Sequence, residues 1–179
     1  MVSVENIVSS GSLGIELDLE VISQELSEIV DYHPEQHAGA YFRLHDSAPL
    51  ITVYRTGKYI ITGVDTEEEA FATRSEFLDL LKDHGVLLEA EDEWYKIQNY
   101  VCMKDIGQQL DLSALAIKLG LEISEYEPEQ FPGLVYRPRS YDCVMLIFAS
   151  GKVIVTGTKD IDSADEAITG LLEQINTLF

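Results

Sequence analysis

Few residues in this 179-residue chain are of the types that make and break bonds. The four histidines are His33, His37, His45 and His84, and the two cysteines are Cys102 and Cys143. His33 and His37 have the spacing by which one helix face offers two imidazoles to a metal. Pro34 lies between them and argues against that helix. Neither cysteine has a neighbour at metal-ligand spacing, so both read as inert thiols pointing into a core. The acidic stretch Asp65 to Glu69 lacks the glycine and spacing of a calcium loop and reads as a helix start. With no glycine-rich phosphate loop and no nucleophile elbow, the chain reads as a binding protein rather than an enzyme, with no cofactor and no metal.

The chemistry that recurs is hydrogen bonding beside apolar side chains. Asn6 and Val8 return as Asn99 and Val101, and Leu17-Asp18-Leu19 returns as Leu110-Asp111-Leu112. Tyr32-His33-Pro34-Glu35-Gln36-His37-Ala38-Gly39 returns as Tyr126-Glu127-Pro128-Glu129-Gln130-Phe131-Pro132-Gly133. Thr56-Gly57-Lys58-Tyr59-Ile60-Ile61-Thr62-Gly63 returns as Ser150-Gly151-Lys152-Val153-Ile154-Val155-Thr156-Gly157. Sliding residues 31–70 onto 125–164 without a gap gives 12 identities in 40 positions, prolines, glycines and lysines among them. A period near 90 residues is too long for a solenoid repeat and implies a duplicated unit. The expected division is a first repeat over 1–88 and a second over 89–179, joined as one continuous domain about an approximate two-fold axis. Such a molecule suits a target that is itself nearly two-fold, and duplex DNA is the foremost example.

The elements that must position these residues follow the same order in each half. Residues 2–8 and 95–102 read as short apolar strands. Leu17 to about Val30 and Leu110 to about Leu121 carry helical spacing, each opening on an Asp. In the first half, strands are expected near 29–33, 39–46, 49–55 and 58–63, with Gly57-Lys58 and Gly151-Lys152 as hairpin turns. A long acidic helix closes each half, over 66–84 and 161–178. The joint from Gly85 to Trp94 has neither a Pro nor a Ser run and reads as a connection, not a flexible linker.

One strand breaks the usual alternation. Val144, Leu146 and Phe148 interleave with Met145, Ile147 and Ala149, so it is apolar on both faces. Four helices cover only one face of a roughly ten-stranded antiparallel sheet. The other would carry Asn99, Val101, Val135, Arg137, Val144, Leu146, Phe148, Ile154 and Thr156, an apolar surface fringed by basic residues. An exposed apolar patch of that size marks an interaction surface.

Charge sharpens this reading. The net charge is −20, from 12 basic and 32 acidic residues. Segments 41–63 and 134–159 hold seven of the basic residues (Arg43, Arg55, Lys58, Arg137, Arg139, Lys152, Lys159) and only two acidic ones, Asp46 and Asp142. Acid covers the chain except on two repeat-related segments. No stretch approaches a membrane span, and the N-terminus has no signal-peptide profile, so a soluble cytoplasmic protein is expected.

These residues resemble the TATA-box-binding protein family, the second half more closely. The matching runs are Gln98-Asn99-Tyr100-Val101, Tyr126 through Arg137, and Leu146 through Gly157. The resemblance spans essentially the whole chain. It implies an α+β fold: a pseudo-two-fold saddle, a curved ten-stranded antiparallel sheet with four helices on its convex face. The concave sheet of that family sits in the DNA minor groove and kinks the duplex.

In those roles Asn6, Asn99, Thr62 and Thr156 would bond the A N3 and T O2 acceptors of A·T pairs. Val8, Val101, Val144, Leu146, Ile60 and Ile154 would make apolar contact with the groove floor. Arg43, Arg137, Lys58 and Lys152 would lie along phosphates. Phe131 and Phe148 match the family's wedge pair, which unstacks a base step. Glu127 and Glu129 resemble the acidic loop that receives a basic partner, transcription factor B.

The first half departs from the pattern. His37 and Tyr54 stand at the wedge positions, Thr52 replaces the aligned Leu146, and Asp65 sits where Lys159 does. DNA engagement is therefore expected to be lopsided, with the second half dominant. A general initiation factor is the leading reading. The alternative is a specialised paralogue that uses its sheet or helices on protein, with weak or lost DNA binding. Without DNA, the apolar face is open to self-association. The acid excess points to a salt-in cytoplasm, as in halophilic archaea, where the Debye length falls to about 3 Å at molar salt.

Overall fold

The computed structural model describes residues 1–177. Ten strands and four helices run in the order β1 (Ser3–Ser12), α1 (Leu19–Glu25), β2 (Val30–Asp31), β3 (Ala40–Phe42), β4 (Leu50–Val53), β5 (Lys58–Val64), α2 (Glu67–Asp83), β6 (Trp94–Asp105), α3 (Leu112–Leu119), β7 (Ser124–Glu125), β8 (Leu134–Tyr136), β9 (Val144–Ile147), β10 (Lys152–Thr158) and α4 (Ile161–Asn176). The fold is α+β. The strands join one antiparallel sheet in the order β2-β3-β4-β5-β1-β6-β10-β9-β8-β7, and the second half of that list mirrors the first. The chain forms two compact units. The first-repeat unit is Asn6–Gln98; the second-repeat unit runs from Asn99 onward and takes in Met1–Glu5.

Each helix begins where its sequence offers an acceptor to the first free N–H groups. Asp18, Thr66, Asp111 and Asp160 are N-caps, accepting from the backbone N–H of Val21, Glu69, Ala114 and Ser163. In the first-repeat unit α2 buries Ala70, Phe77, Leu78 and Leu81. Phe77 meets Phe42 edge-on at 5.6 Å and Tyr59 at 5.1 Å. In the second, α4 buries Ala164, Ala167, Ile168, Leu171 and Ile175, all hydrocarbon.

The two short helices are shorter than their periodicity predicts. α1 stops at Glu25 instead of Val30, because the N–H groups of Ile29 and Val30 both bond the Leu26 carbonyl and turn the chain into β2. α3 ends at Leu119 instead of Leu121, where Gly120 takes φ 111° and caps onto the Ala116 carbonyl. The strand expected over 39–46 ends at Phe42; the Arg43 N–H still reaches the Ile29 carbonyl before the chain turns at His45–Ala48. Helix α4 ends at Asn176, and residue 178 of the expected span lies outside the described residues. Cys102 is buried, but Cys143 is only half-buried, because it precedes β9 rather than lying within it. Burial pushes both thiols up.

The joint between repeats has a structural task that its acidic sequence hides. Asp92 tucks a carboxylate, 4 % exposed, against Arg74 of α2, with Nε at 2.7 Å and Nη2 at 2.6 Å. Tyr59 of β5 donates its hydroxyl to the same carboxylate at 2.5 Å. Arg74 also lies 4.8 Å above the Tyr95 ring, a cation–π contact. Gly11 makes the approach possible, since a Cβ there would fall 2.5 Å from the Tyr59 ring. Among the described residues, no helix is long and apolar enough to cross a membrane.

Candidate nucleic-acid interface

Period-2 alternation sorts the sheet residues of each unit into two sets. Ile7, Tyr59, Ile61, Ile51 and Val53 are buried in the first-repeat unit, while Asn6, Val8, Ile60, Thr62 and Thr52 are half-buried. Tyr100, Cys102, Met145, Ile147, Val153 and Val155 are buried in the second, while Asn99, Val101, Val135, Val144, Leu146, Ile154 and Thr156 are half-buried. Strands β5 and β10, which carry Tyr59, Ile61, Val153 and Val155, pack on α2 and α4. The half-buried sets form the opposite face, and they contain every sheet residue singled out from sequence for contact with bases.

Asn6 and Asn99 are placed by a matched irregularity. The β1–β5 register shifts between Ile7 and Ser9, and the β10–β6 register shifts between Val155 and Thr158. At each shift a glycine N–H turns to the asparagine: Gly63 N to Asn6 Oδ1 at 2.9 Å, and Gly157 N to Asn99 Oδ1 at 2.7 Å. Both glycines have positive φ, 87° and 94°, a region that side chains disfavour. A backbone N–H only donates, so the atom facing it is the amide oxygen and Nδ2 is left as the outward donor. In the second unit Nδ2 gives one hydrogen to Thr156 Oγ1 at 3.1 Å, which frees the threonine O–H to donate in turn. Each unit thus offers fixed donors set among half-buried Val and Ile side chains. That chemistry matches the acceptors A N3 and T O2.

The basic residues stand at the margins. Lys58, Lys152, Arg43 and Arg137 are exposed. Arg43 donates to the Ala48 carbonyl at 3.0 Å, and Arg137 lies 3.9 Å from Glu125. Both lysines flank the hairpin glycines, at the starts of β5 and β10.

The outer ends of the two faces differ. In the second unit Phe131 and Phe148 meet edge to face at 5.9 Å over Gly133, where a Cβ would fall 2.7 Å from the Phe131 ring. In the first unit His37 lies 6.2 Å from Tyr54 and stacks on Tyr41 at 4.9 Å. His37 Nδ1 lies 3.0 Å from the Gly39 N and 3.1 Å from the Gly39 carbonyl oxygen, so it accepts from the first or donates to the second according to its tautomer. Tyr41 was not among the residues expected here. Its signal was available, because it aligns with Val135, which alternation already placed on this face.

The two loops that carry His37 and Phe131 also differ in charge. His33 in the first loop sits 2.9 Å from Asp31 and 3.4 Å from Glu35. The aligned Glu127 and Glu129 in the second are exposed and, among the described residues, have no basic partner. One carboxylate directly precedes Asn6 in the chain: Glu5, exposed, accepting the Ser3 hydroxyl at 2.8 Å. Its counterpart Gln98 donates its amide to Ser10 at 2.7 Å. Among the described residues, no group of three or more His, Cys, Asp or Glu could hold a metal ion.

Comparison with known proteins gives one answer. The model of the family described as transcription factor TFIID, or TATA-binding protein, matches residues 1–84 and 94–178. TATA-box-binding protein C of Halobacterium salinarum is 49% identical over 167 residues, covering 93% of this chain and 92% of that one. The TATA-box-binding protein of Haloarcula marismortui is 41% identical over 177 residues, covering 99% and 94%. The solved structure of the Methanococcus jannaschii TBP superposes with a TM-score of 0.83 at 39% identity, covering 98% of both chains. The chain belongs to the TATA-box-binding protein family of transcription initiation factors and is of the archaeal, halophile type.

Proposed function

We propose that the protein binds the minor groove of an A·T-rich promoter element through the half-buried faces of both repeats, bends the duplex, and recruits transcription factor B and RNA polymerase. The observation that carries this reading is the pair of glycine-locked asparagines. Their amide oxygens are occupied by Gly63 and Gly157, so only donors face outward. An A·T minor groove presents only acceptors, and a guanine amino group would meet donor against donor. Asn6, Asn99, Thr62 and Thr156 read those acceptors, and Val8, Val101, Val144, Leu146, Ile60 and Ile154 exclude water from the floor. Arg43, Arg137, Lys58 and Lys152 track phosphates.

Bending is driven from the second repeat. Phe131 and Phe148 are hydrocarbon wedges, and unstacking a base step costs a few kcal/mol that wider contact with a bent duplex recovers. His37 and Tyr54 carry polar atoms that resist burial between bases, so the first kink is shallower. Glu127 and Glu129 receive basic side chains of transcription factor B, for which the first loop, with His33 between its carboxylates, is a poorer match. Residues 1–88 and 89–179 act as one continuous body on the duplex. Without DNA the same apolar faces are free to pair with a second copy.

The acidic surface fits a salt-in cytoplasm. At molar salt repulsion between carboxylates and phosphates is screened within about 3 Å, and apolar burial carries affinity. The test is a gel shift on a labelled A·T-rich duplex at low and molar KCl, with and without transcription factor B. Binding at molar salt that tightens with the factor is expected. A steep loss of affinity with salt would remove the salt adaptation. Loss of DNA binding at every salt, with factor binding intact, would leave a protein-interaction paralogue.

A further inference from the structure

Four matched positions at the outer ends of the faces separate the repeats by chemistry. Phe131, Val135, Leu146 and Phe148 are hydrocarbon, whereas the aligned His37, Tyr41, Thr52 and Tyr54 each carry a hydrogen-bonding atom. Thr52 lies deepest in the sheet, in β4, facing Tyr41 of β3 and Ile60 of β5 across the ladders. Leu146 holds the same place between Val135 and Ile154. The Thr52 methyl sits over Gly39, where a Cβ would fall 2.8 Å from Cγ2. Among the described residues its hydroxyl has no hydrogen-bond partner.

A guanine differs from an adenine in the minor groove by one added donor, the N2 amino group. Against the isobutyl group of Leu146 that amino group loses its water and gains no partner, which is the costly arrangement for a buried donor. Threonine is shorter and its oxygen accepts. We infer that the protein tolerates a G·C pair in the half-element beneath the first repeat, read by Thr52, and rejects one at the matching position beneath the second. Such a site orients the protein, since only one direction places the G·C pair under Thr52. This inference rests on the minor-groove reading above and names its target: an A·T-rich element with one G·C pair in one half.

The test is competition binding at molar KCl against a set of duplexes in which each A·T pair of an A·T-rich element is replaced singly by G·C. A G·C pair at either of two mirrored positions should cost less than about threefold, because the protein turns to set it under Thr52, whereas a duplex with G·C at both should lose about thirtyfold, the usual range for a mismatched pair. Thr52→Leu should raise the cost of the single G·C pair to about thirtyfold, read as the ratio of its affinity to that of the same variant for the all-A·T duplex. Replacing that G·C by inosine·C, which lacks the amino group, should restore binding to Thr52→Leu. Leu146→Thr should restore binding to the duplex with G·C at both positions, and it keeps the test decisive if Thr52→Leu fails to fold. Tight binding of the all-A·T duplex with a single G·C pair costing about thirtyfold wherever it is placed, or tolerance unmoved by Thr52→Leu, overturns the inference alone. Failure to bind any duplex overturns the minor-groove reading beneath it.

Discussion

The centres of the two repeats are nearly interchangeable, while their outer ends and their backs are not. At the centre, Asn6 with Gly63 and Asn99 with Gly157 share the same bond and the same positive φ. At the outer ends, a His–Tyr–Tyr cluster stands against a Phe pair. Behind the sheet, Tyr59, Arg74 and Phe77 correspond to Val153, Ile168 and Leu171, so a charged network in one repeat is plain hydrocarbon in the other. The difference shows what each place demands. A bulge that leaves an N–H facing a side chain needs an acceptor of the right length and a residue free to take positive φ. A pleated surface needs only a side chain that fits its neighbours. The centre is constrained by geometry and the ends by packing.

The largest effect expected concerns the back of the first repeat. Asp92→Asn leaves Arg74 and Tyr59 facing a neutral amide and should cost about 3 kcal/mol of stability, measured as a fall in melting temperature at molar KCl. Nothing comparable exists to remove at Val153 or Ile168. Burial alone would raise the Asp92 carboxyl, but hydrogen bonds from Arg74 and Tyr59 outweigh it and hold it below the usual carboxylate range. Its stabilisation is complete above about pH 3.9, the ordinary value, and is lost as pH falls through the lowered one. Burial and the bond to Asp92 raise Tyr59, so its contribution is complete below about pH 10 and lost only as pH rises through its folded value. Melts of the wild type should therefore fall more steeply in acid than those of Asp92→Asn; parallel curves would show that the carboxylate titrates without coupling to folding.

The aromatic pair of the second repeat comes next. Phe131→Ala and Phe148→Ala should each weaken duplex binding by about 1–3 kcal/mol, against less than about 0.5 kcal/mol for His37→Ala by the same reasoning. Titration by fluorescence anisotropy reads this. Gly157→Ala and Gly63→Ala place a Cβ at φ 94° and 87°, with only ordinary contacts at 3.5 Å to the Cys143 Cα and 4.0 Å to the Pro49 Cα, so each should lose about 1–3 kcal/mol of stability through the backbone alone. A marked inequality, read from denaturant midpoints, would mean that the two bulges are not equally constrained. The smallest effect falls at the centre, where Glu5→Gln should raise affinity about threefold at low salt and not at all at molar salt. Gln98→Glu should do the reverse.

The duplication, the order of elements and the half-buried face were legible because they depend on spacing: repeated motifs, alternating strands and helix starts on Asp or Thr. Asn6 and Asn99 could be named, but not what fixes them, since a bulge leaves no mark in sequence beyond a glycine that also suits a turn. The full extents of β1 and β6 were hidden for the same reason, as the alternation changes phase at each bulge. Asp92 was illegible because it sits in an acidic joint that reads as solvated, and its partners lie 18 and 33 residues away. Tyr41 was legible through its alignment with Val135. The ends of α1 and α3 were not, because the apolar periodicity runs on past the last helical hydrogen bond.

The central claim is that both repeats grip the minor groove but the second one bends it. The direct test is end-to-end fluorescence transfer on a doubly labelled A·T-rich duplex at molar KCl, with wild type, His37→Ala, Phe131→Ala and Phe148→Ala, each at saturating protein. Wild type and His37→Ala should bring the ends together to nearly the same extent, while either Phe→Ala should leave the duplex close to straight. Equal loss in all three variants, or a duplex left straight by saturating wild type, would contradict the claim.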